Sequence, residues 1–299
     1  MANVLVLQAI QGIDNINKCR YAILKYLEVY NLKPPSDIAI FLYTDQPAYF
    51  EIFIPFFNQF GIKELSLAQA REWAGVDRSS ARVRMQILAE VNSHFHGNIL
   101  LLHNNCFPIQ PIETIYSAIE SGDCYMHSSL GTFSNDQDKS SQKLGKVLSA
   151  NSFHSNGTPL ETKDLMMFNP DVIGLNSSAK DVIDDAIELS DLIYKKFPDP
   201  IIESFAYSYS FRSNNKSVKS CDKSISCYQD HKSLLRLLRS FFDKNAEESV
   251  PNLVKALHKV DIEHIWKKKL EFDSLPLYQK WMNTITGKGW NIKSFEKKI

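Results

Sequence analysis

Asn98-Ile99-Leu100-Leu101-Leu102-His103-Asn104-Asn105-Cys106-Phe107-Pro108-Ile109-Gln110-Pro111 decides the fold. Four consecutive apolar residues, Ile99 to Leu102, read as a strand buried on both faces, the pattern of a parallel sheet. The strand runs into a polar cluster, and Pro108 and Pro111 stop it. In open α/β sheets ligands bind beyond the carboxyl ends of the strands. His103, Asn104 and Asn105 are therefore the first candidates for chemistry.

The flanking segments alternate in type. Val4 to Ala9 is a first strand, ending at Gln8, Gly12, Asp14 and Asn15, a polar turn that starts a helix through Tyr30. Ile38 to Tyr43 is a second continuous apolar strand, and it puts Asp45 at the same end of the sheet. A helix is expected over residues 48–60, with Tyr49, Phe50, Phe53, Phe56, Phe57 and Phe60 as core, then a short strand over 63–67. Ser79 is read as the cap of a helix running to about Phe95. Arg78, Arg82 and Arg84 gather near its start, where positive charge is unfavourable unless it meets an anion. A helix over 112–121 and a strand over 123–127 follow. This alternation predicts an α/β fold with a mostly parallel sheet.

The second half is less regular. Residues 128–160 are rich in Ser, Asn and Lys, and apart from one short helix they read as a mobile loop that either covers a site or is merely variable surface. Asp164 to Asn176 reads as strand, break, strand, with Asn169 and Asp171 at the break. Two helices follow, and Glu203 lies in the first turn of the second, where the helix dipole favours a carboxylate. Residues 214–223 read as a polar loop, and Ser224 to Tyr228 as a last strand. The rest is helical. The sheet is thus expected to become mixed, with a boundary near residue 229.

Composition narrows the classes. The 299 residues carry 34 basic and 34 acidic side chains, which gives no reason to expect a nucleic-acid partner. Five cysteines without CxxC spacing argue against a disulfide framework, and the thiols are expected to be reduced. No apolar run is long enough to span a membrane, so a cytoplasmic protein is expected. The basic tail with Trp290 leaves room only for a weak peripheral membrane contact. His94 and His96 sit two apart on a helix and point to different sides, which argues against zinc. Walker A, Gly-x-Ser-x-Gly and dinucleotide-binding patterns do not occur.

Three motifs, in order, resemble the GT-A-fold glycosyltransferases, the nucleotide-diphospho-sugar transferases. Arg82-Val83-Arg84 through Leu88, then Gly97 to Pro108, is similar to the family's run of helix, strand and Asp-x-Asp motif. Met167 to Asn176, including Gly174, is similar to "xWNSGVIGLN", and Glu203 to Ser208 to "EQxAxS". Together they cover roughly residues 3–230. The resemblance implies a nucleotide-sugar-binding domain over 1–229, with a helical C-terminal extension over 230–299 packed on it.

It also implies a donor, a nucleotide-diphosphate sugar, and an acceptor that is an unidentified glycan or lipid-linked sugar. In the family two carboxylates hold Mn²⁺ or Mg²⁺ on the diphosphate. Here those positions are His103 and Asn105, and a third ligand position is Cys227, so such a metal is disfavoured. The implied roles fall to Asp45 for the nucleoside and to Arg78, Arg82 or Arg84, with Lys232, for the diphosphate; Gln8 is a further substrate-binding candidate. Asn169, Asp171 and Glu203 stand where the sugar, the acceptor and catalysis would be, beside His103, Asn104, Asn105 and Gly174. Two readings stay open on this resemblance: a metal-independent transferase, or an inactive relative that keeps a sugar- or nucleotide-binding cleft. A third, from another class, is a protein-binding module using the aromatic stretch 48–60 or the C-terminal helices.

Overall fold

The computed structural model describes residues 2–75, 80–135, 138–155 and 157–292. The Ser79 cap and Arg78 lie outside the described residues. The chain runs β1 (Ala2–Ala9), α1 (Ile13–Val29), β2 (Ile38–Thr44), β3 (Phe60–Glu64), α2 (Leu67–Ala74), α3 (Ser80–His94) and β4 (Gly97–Leu102). It continues through β5 (Cys106–Pro108), α4 (Glu113–Glu120), β6 (Cys124–Met126), β7 (Ser129–Thr132) and α5 (Lys139–Ala150). Next come β8 (His154–Ser155), β9 (Thr158–Pro159), β10 (Met166–Phe168), β11 (Val172–Asn176), α6 (Lys180–Tyr194), α7 (Ile201–Ser213), β12 (Val218–Ser220) and β13 (Ile225–Cys227). Among the described residues four helices follow: α8 (Lys232–Lys244), α9 (Val250–Ala256), α10 (Ile262–Ser274) and α11 (Leu277–Ile285).

The main sheet has seven strands in the order β12-β6-β11-β4-β1-β2-β3. All neighbours are parallel except β11, which runs antiparallel to both β4 and β6. The fold is the expected α/β class: a mostly parallel mixed sheet flanked by helices, with helices at the C-terminus. The apolar runs explain it. Leu5, Leu7, Leu100 and Leu102 pack on one face against α1, α4 and α8. Their alternates Val4, Val6, Ile99 and Leu101 pack on the other against α3, α6 and α7. A strand with both faces covered has no polar alternation to show.

Of the C-terminal helices, α8 and α9 pack on α1. Leu234, Leu237, Phe241 and Leu253 join its core cluster, and the Tyr21 hydroxyl donates to the Val260 carbonyl at 3.0 Å. Trp290 returns to this core: its indole N–H donates to the Ile265 carbonyl at 3.3 Å and its ring meets His231 edge-on. That places Trp290 against the core rather than in a solvated tail.

Three expectations need correction. The aromatic stretch 48–60 is two short 3₁₀ helices, Pro47–Tyr49 and Glu51–Phe56, because Pro55 cannot continue an α-helical ladder. Phe50 and Phe53 are core; Tyr49, Ile52 and Ile54 are exposed. Within residues 214–223 lies β12, a short edge strand paired with β6. The described parts of residues 128–160 are anchored rather than loose: β7 pairs with β10, and Phe133, Leu144 and Phe153 are buried in the core.

A candidate donor cleft at the carboxyl end of the sheet

A cavity of about 440 Å³ opens beyond the ends of β1 and β4. Gln8 and Gln11 reach it from the β1 end, Asn15 and Lys18 from α1, and His103 and Asn104 from β4. Arg84 enters from α3, Glu203 from α7 and Asp230 from the segment before α8. The parallel order places these segments together, since every β-to-α turn of a parallel sheet falls at one end.

The charged groups are paired. Arg84 Nε donates to Glu203 Oε1 at 3.1 Å and Nη2 donates to Oε2; Glu203 is buried and the Arg84 side chain is 11% exposed. Burial opposes the Arg84 charge, but Glu203 holds the guanidinium above its usual range. Burial likewise pushes the Glu203 carboxyl up against the pull of Arg84. The Lys18 ammonium is 3% exposed and lies 3.0 Å from both oxygens of Asp230, which is 57% exposed. The inner member of this pair is fixed, and the outer one is free to swing into water.

His103 is tied differently. Its Nδ1 lies 2.5 Å from Asn105 Oδ1 and 3.5 Å from Asp171 Oδ1. Both neighbours are acceptors, so the proton belongs on Nδ1 and the lone pair on Nε2. Burial, followed by the charge of Arg84, lowers the His103 pKa well below 6.5, and the imidazole is neutral at neutral pH. The antiparallel β11 brings Asp171 here: the His103 N–H donates to the Asp171 carbonyl at 2.8 Å. Asn169 braces that corner, its Oδ1 accepting from the Asp171 N–H at 2.9 Å and its Nδ2 donating to Asp171 Oδ2 at 3.2 Å.

Two buried acceptors at this end have no hydrogen-bond partner among the described residues: Asn104 Oδ1 and Asp45 Oδ1. The other oxygen of Asp45 accepts from the Gln11 N–H at 3.2 Å. Orphaned buried acceptors are costly, and such atoms suit a ligand's N–H or O–H donors.

The expected site residues divide. Gln8, Arg84, His103, Asn104 and Glu203 line the cavity. Arg82 turns away; its guanidinium grips Asp191 on α6 at 2.7 and 2.9 Å and the Trp73 carbonyl. Two helical residues apart is a rotation of about 200°, so Arg82 and Arg84 cannot face one ligand. Asn105 also faces away, donating to the Tyr228 carbonyl at 2.6 Å. Gly174 is a packing residue rather than a ligand contact: a Cβ there would lie 3.0 Å from Tyr125 Cβ and 3.1 Å from Ile119 Cδ1. Lys232, at the first turn of α8, is exposed and does not line the cavity. Lys18 and Asp230 were not anticipated. The signal for Lys18 lay in the polar β1–α1 turn, with Asn15 one helical turn before it.

The cysteine reading is corrected as well. Cys106 and Cys227 form a disulfide, opposed across the β5–β13 pair. Cys19, Cys124 and Cys221 are free and buried. The two bonded sulfurs lie within 4.8 Å of an Asp171 oxygen. With the sulfurs spent on each other and Asn105 turned to Tyr228, the set keeps one carboxylate, Asp171, and one imidazole, His103. That donor set does not suit a hard divalent cation such as Mn²⁺ or Mg²⁺.

No family model and no curated protein matches the sequence. Among solved structures, the chain is similar to mouse xyloside xylosyltransferase 1, with a TM-score of 0.47 and 9% identity over 74% of this chain and 85% of that one. It is similar to the galactosyltransferase LgtC, solved with donor and acceptor sugar analogues (TM-score 0.44, 12% identity, 69% and 70% of the two chains). It is also similar to the glycosyltransferase GlyE of Streptococcus pneumoniae (TM-score 0.43, 11% identity, 74% and 45%).

Proposed function

We propose that the cavity binds a nucleotide-diphosphate sugar and that the protein is glycosyltransferase-like, working without a strongly bound divalent metal. The observation that supports this best is the convergence of Lys18, Arg84, His103 and Asn104 at the carboxyl ends of β1 and β4. Lys18 is the cation that can meet a diphosphate, because Asp230 is exposed enough to yield its place. The amino end of α1, whose cap residue Gly12 supplies no side-chain hydrogen bond, adds backbone N–H groups on the same side. Asp45 and Asn104 offer the acceptors that a nucleoside or a sugar hydroxyl would fill. His103 Nε2 is a neutral base positioned to take a proton from an acceptor hydroxyl.

The bidentate Arg84–Glu203 pair favours a second reading, a binding protein without turnover. It withholds both the guanidinium from the diphosphate and the carboxylate from the acceptor. Calorimetric titration with a panel of nucleotide-diphosphate sugars, with and without Mn²⁺, tests both. Equal binding in the two conditions is expected. Binding that requires Mn²⁺ would overturn metal independence, and no binding at all would overturn the donor cleft. Bound donor that is never hydrolysed or transferred would select the second reading.

A further inference from the structure

We infer that Cys106, Cys227 and Asp171 are a redox-gated zinc site, absent while the two cysteines are bonded and formed when a dithiol reduces them. The two sulfurs and a carboxylate oxygen of Asp171 lie within 4.8 Å of one another. Zinc takes sulfur at about 2.3 Å and oxygen at about 2.1 Å, so its tetrahedral ligands stand roughly 3.6–3.8 Å apart. Once the S–S bond is broken, side-chain movements of about 1 Å complete the set. Cys227 and Asp171 are only half-buried, which leaves an ion a way in.

The scaffold does not depend on the bond. Cys106 and Cys227 stand opposite each other in the antiparallel β5–β13 pair. Beyond them the Tyr228 N–H donates to the Asn105 carbonyl at 3.1 Å, and Asn105 Nδ2 donates to the Tyr228 carbonyl at 2.6 Å. Phe107, Ile225 and Tyr228 anchor both strands in the core. Asp171 is held separately: the His103 N–H fixes its carbonyl, and Asn169 Nδ2 donates to its Oδ2 at 3.2 Å. A ligating carboxylate usually carries such a supporting hydrogen bond.

Donor chemistry selects the ion. Two thiolates and one carboxylate suit Zn²⁺ with a fourth position left open, whereas Mn²⁺ and Mg²⁺ prefer oxygen throughout. In the reduction the S–S bond breaks, and the dithiol supplies two electrons and two protons while closing to its own disulfide. Zn²⁺ then displaces the two thiol protons into water. The bonded sulfurs offer no thiolate, so the oxidised chain lacks two of the three ligands. The inference does not rest on the donor cleft.

Zinc uptake by the full chain tests it, with no sugar nucleotide present, before and after treatment with a dithiol that is removed under nitrogen. A chromogenic chelator competes for the Zn²⁺, and Co²⁺ in its place reports sulfur ligation by its thiolate-to-metal charge-transfer band. The reduced chain is expected to take up one Zn²⁺ at least about a hundredfold more tightly than the oxidised chain. Asp171→Asn is expected to weaken uptake at least about tenfold while the sulfur band persists. Cys106→Ser with Cys227→Ser is expected to abolish both and to stay folded by circular dichroism, because the ladder and its core remain. Equal uptake by the oxidised chain, or none by the reduced chain, would overturn the inference. So would a sulfur band that survives the double serine variant, since it would belong to Cys19, Cys124 or Cys221. Loss of the fold on reduction would overturn it too, because the ladder would then not hold the ligands. The sugar-nucleotide titration is run on the oxidised chain, so failure of one proposal is separable from failure of the other.

Discussion

The two ends of β4 carry the same residue type in opposite states. At the amino end Asn98 is fully buried, and its amide is used twice. Its Nδ2 donates to Asn3 Oδ1 at 3.0 Å, and its Oδ1 accepts from Asn176 Nδ2 at 2.9 Å. At the carboxyl end Asn104 is 7% exposed, and its Oδ1 has no partner among the described residues. Around Asn98 the polar atoms close a ladder across three strands. Around Asn104 they are a neutral imidazole, a locked ion pair and an unused acceptor. Buried polarity at one end is paired across the sheet; at the other an acceptor stands without a partner among the described residues.

The strongest way to break this contrast is Glu203→Ala. It leaves Arg84 buried and unpaired, and denaturant unfolding should show a loss of roughly 3–5 kcal/mol. The double change Arg84→Met with Glu203→Leu should recover most of it. A small loss in the single variant would mean that the pair is solvated and the end of the sheet open.

Next in size are two substitutions in the sheet. Asn98→Ala removes a buried amide from two half-buried partners, Asn3 and Asn176, and should cost about 1–3 kcal/mol with no effect on sugar-nucleotide affinity. Gly174→Ala should cost a similar ~1–3 kcal/mol, because Tyr125 and Ile119 must give way. Asn104→Ala is the counterpart: stability within about 0.5 kcal/mol of the parent, and donor affinity roughly tenfold weaker by calorimetry. If Asn98 and Asn104 behave alike in both assays, the contrast fails.

The smallest effect is on pH dependence. His103 is held below 6.5 when folded, chiefly by burial and then by Arg84, so below that pH the unfolded chain takes up the proton first. Stability should therefore fall as pH drops below about 6.5 and be indifferent to this group above it. His103→Gln should flatten part of that acid-side slope. His127, also lowered by burial, contributes the same sign and stays in the variant. An unchanged slope would show that His103 titrates normally.

Much of this was legible in residue order. The apolar runs of β1, β2 and β4 have no alternation to misread, and they place Gln8, His103 and Asn104 at the carboxyl end of the sheet. The triad Arg78, Arg82 and Arg84 was legible as a cluster, but helix geometry separates Arg82 from Arg84. β12 was illegible because an edge strand of three residues needs no apolar pattern. The Cys106–Cys227 bond joins residues 121 apart, and no local signal encodes such a meeting. Lys18 was missed for a related reason: its partner, Asp230, comes 212 positions later.

The antiparallel β11 has a consequence in time. β4 pairs with β1, already made, and with β11, not yet made when Leu102 leaves the ribosome. About 70 residues must follow before Val172 appears, which at ~5–20 residues per second is roughly 4–14 s. For that interval a strand that is buried in the finished fold has one unpaired edge, its template side open to any passing strand.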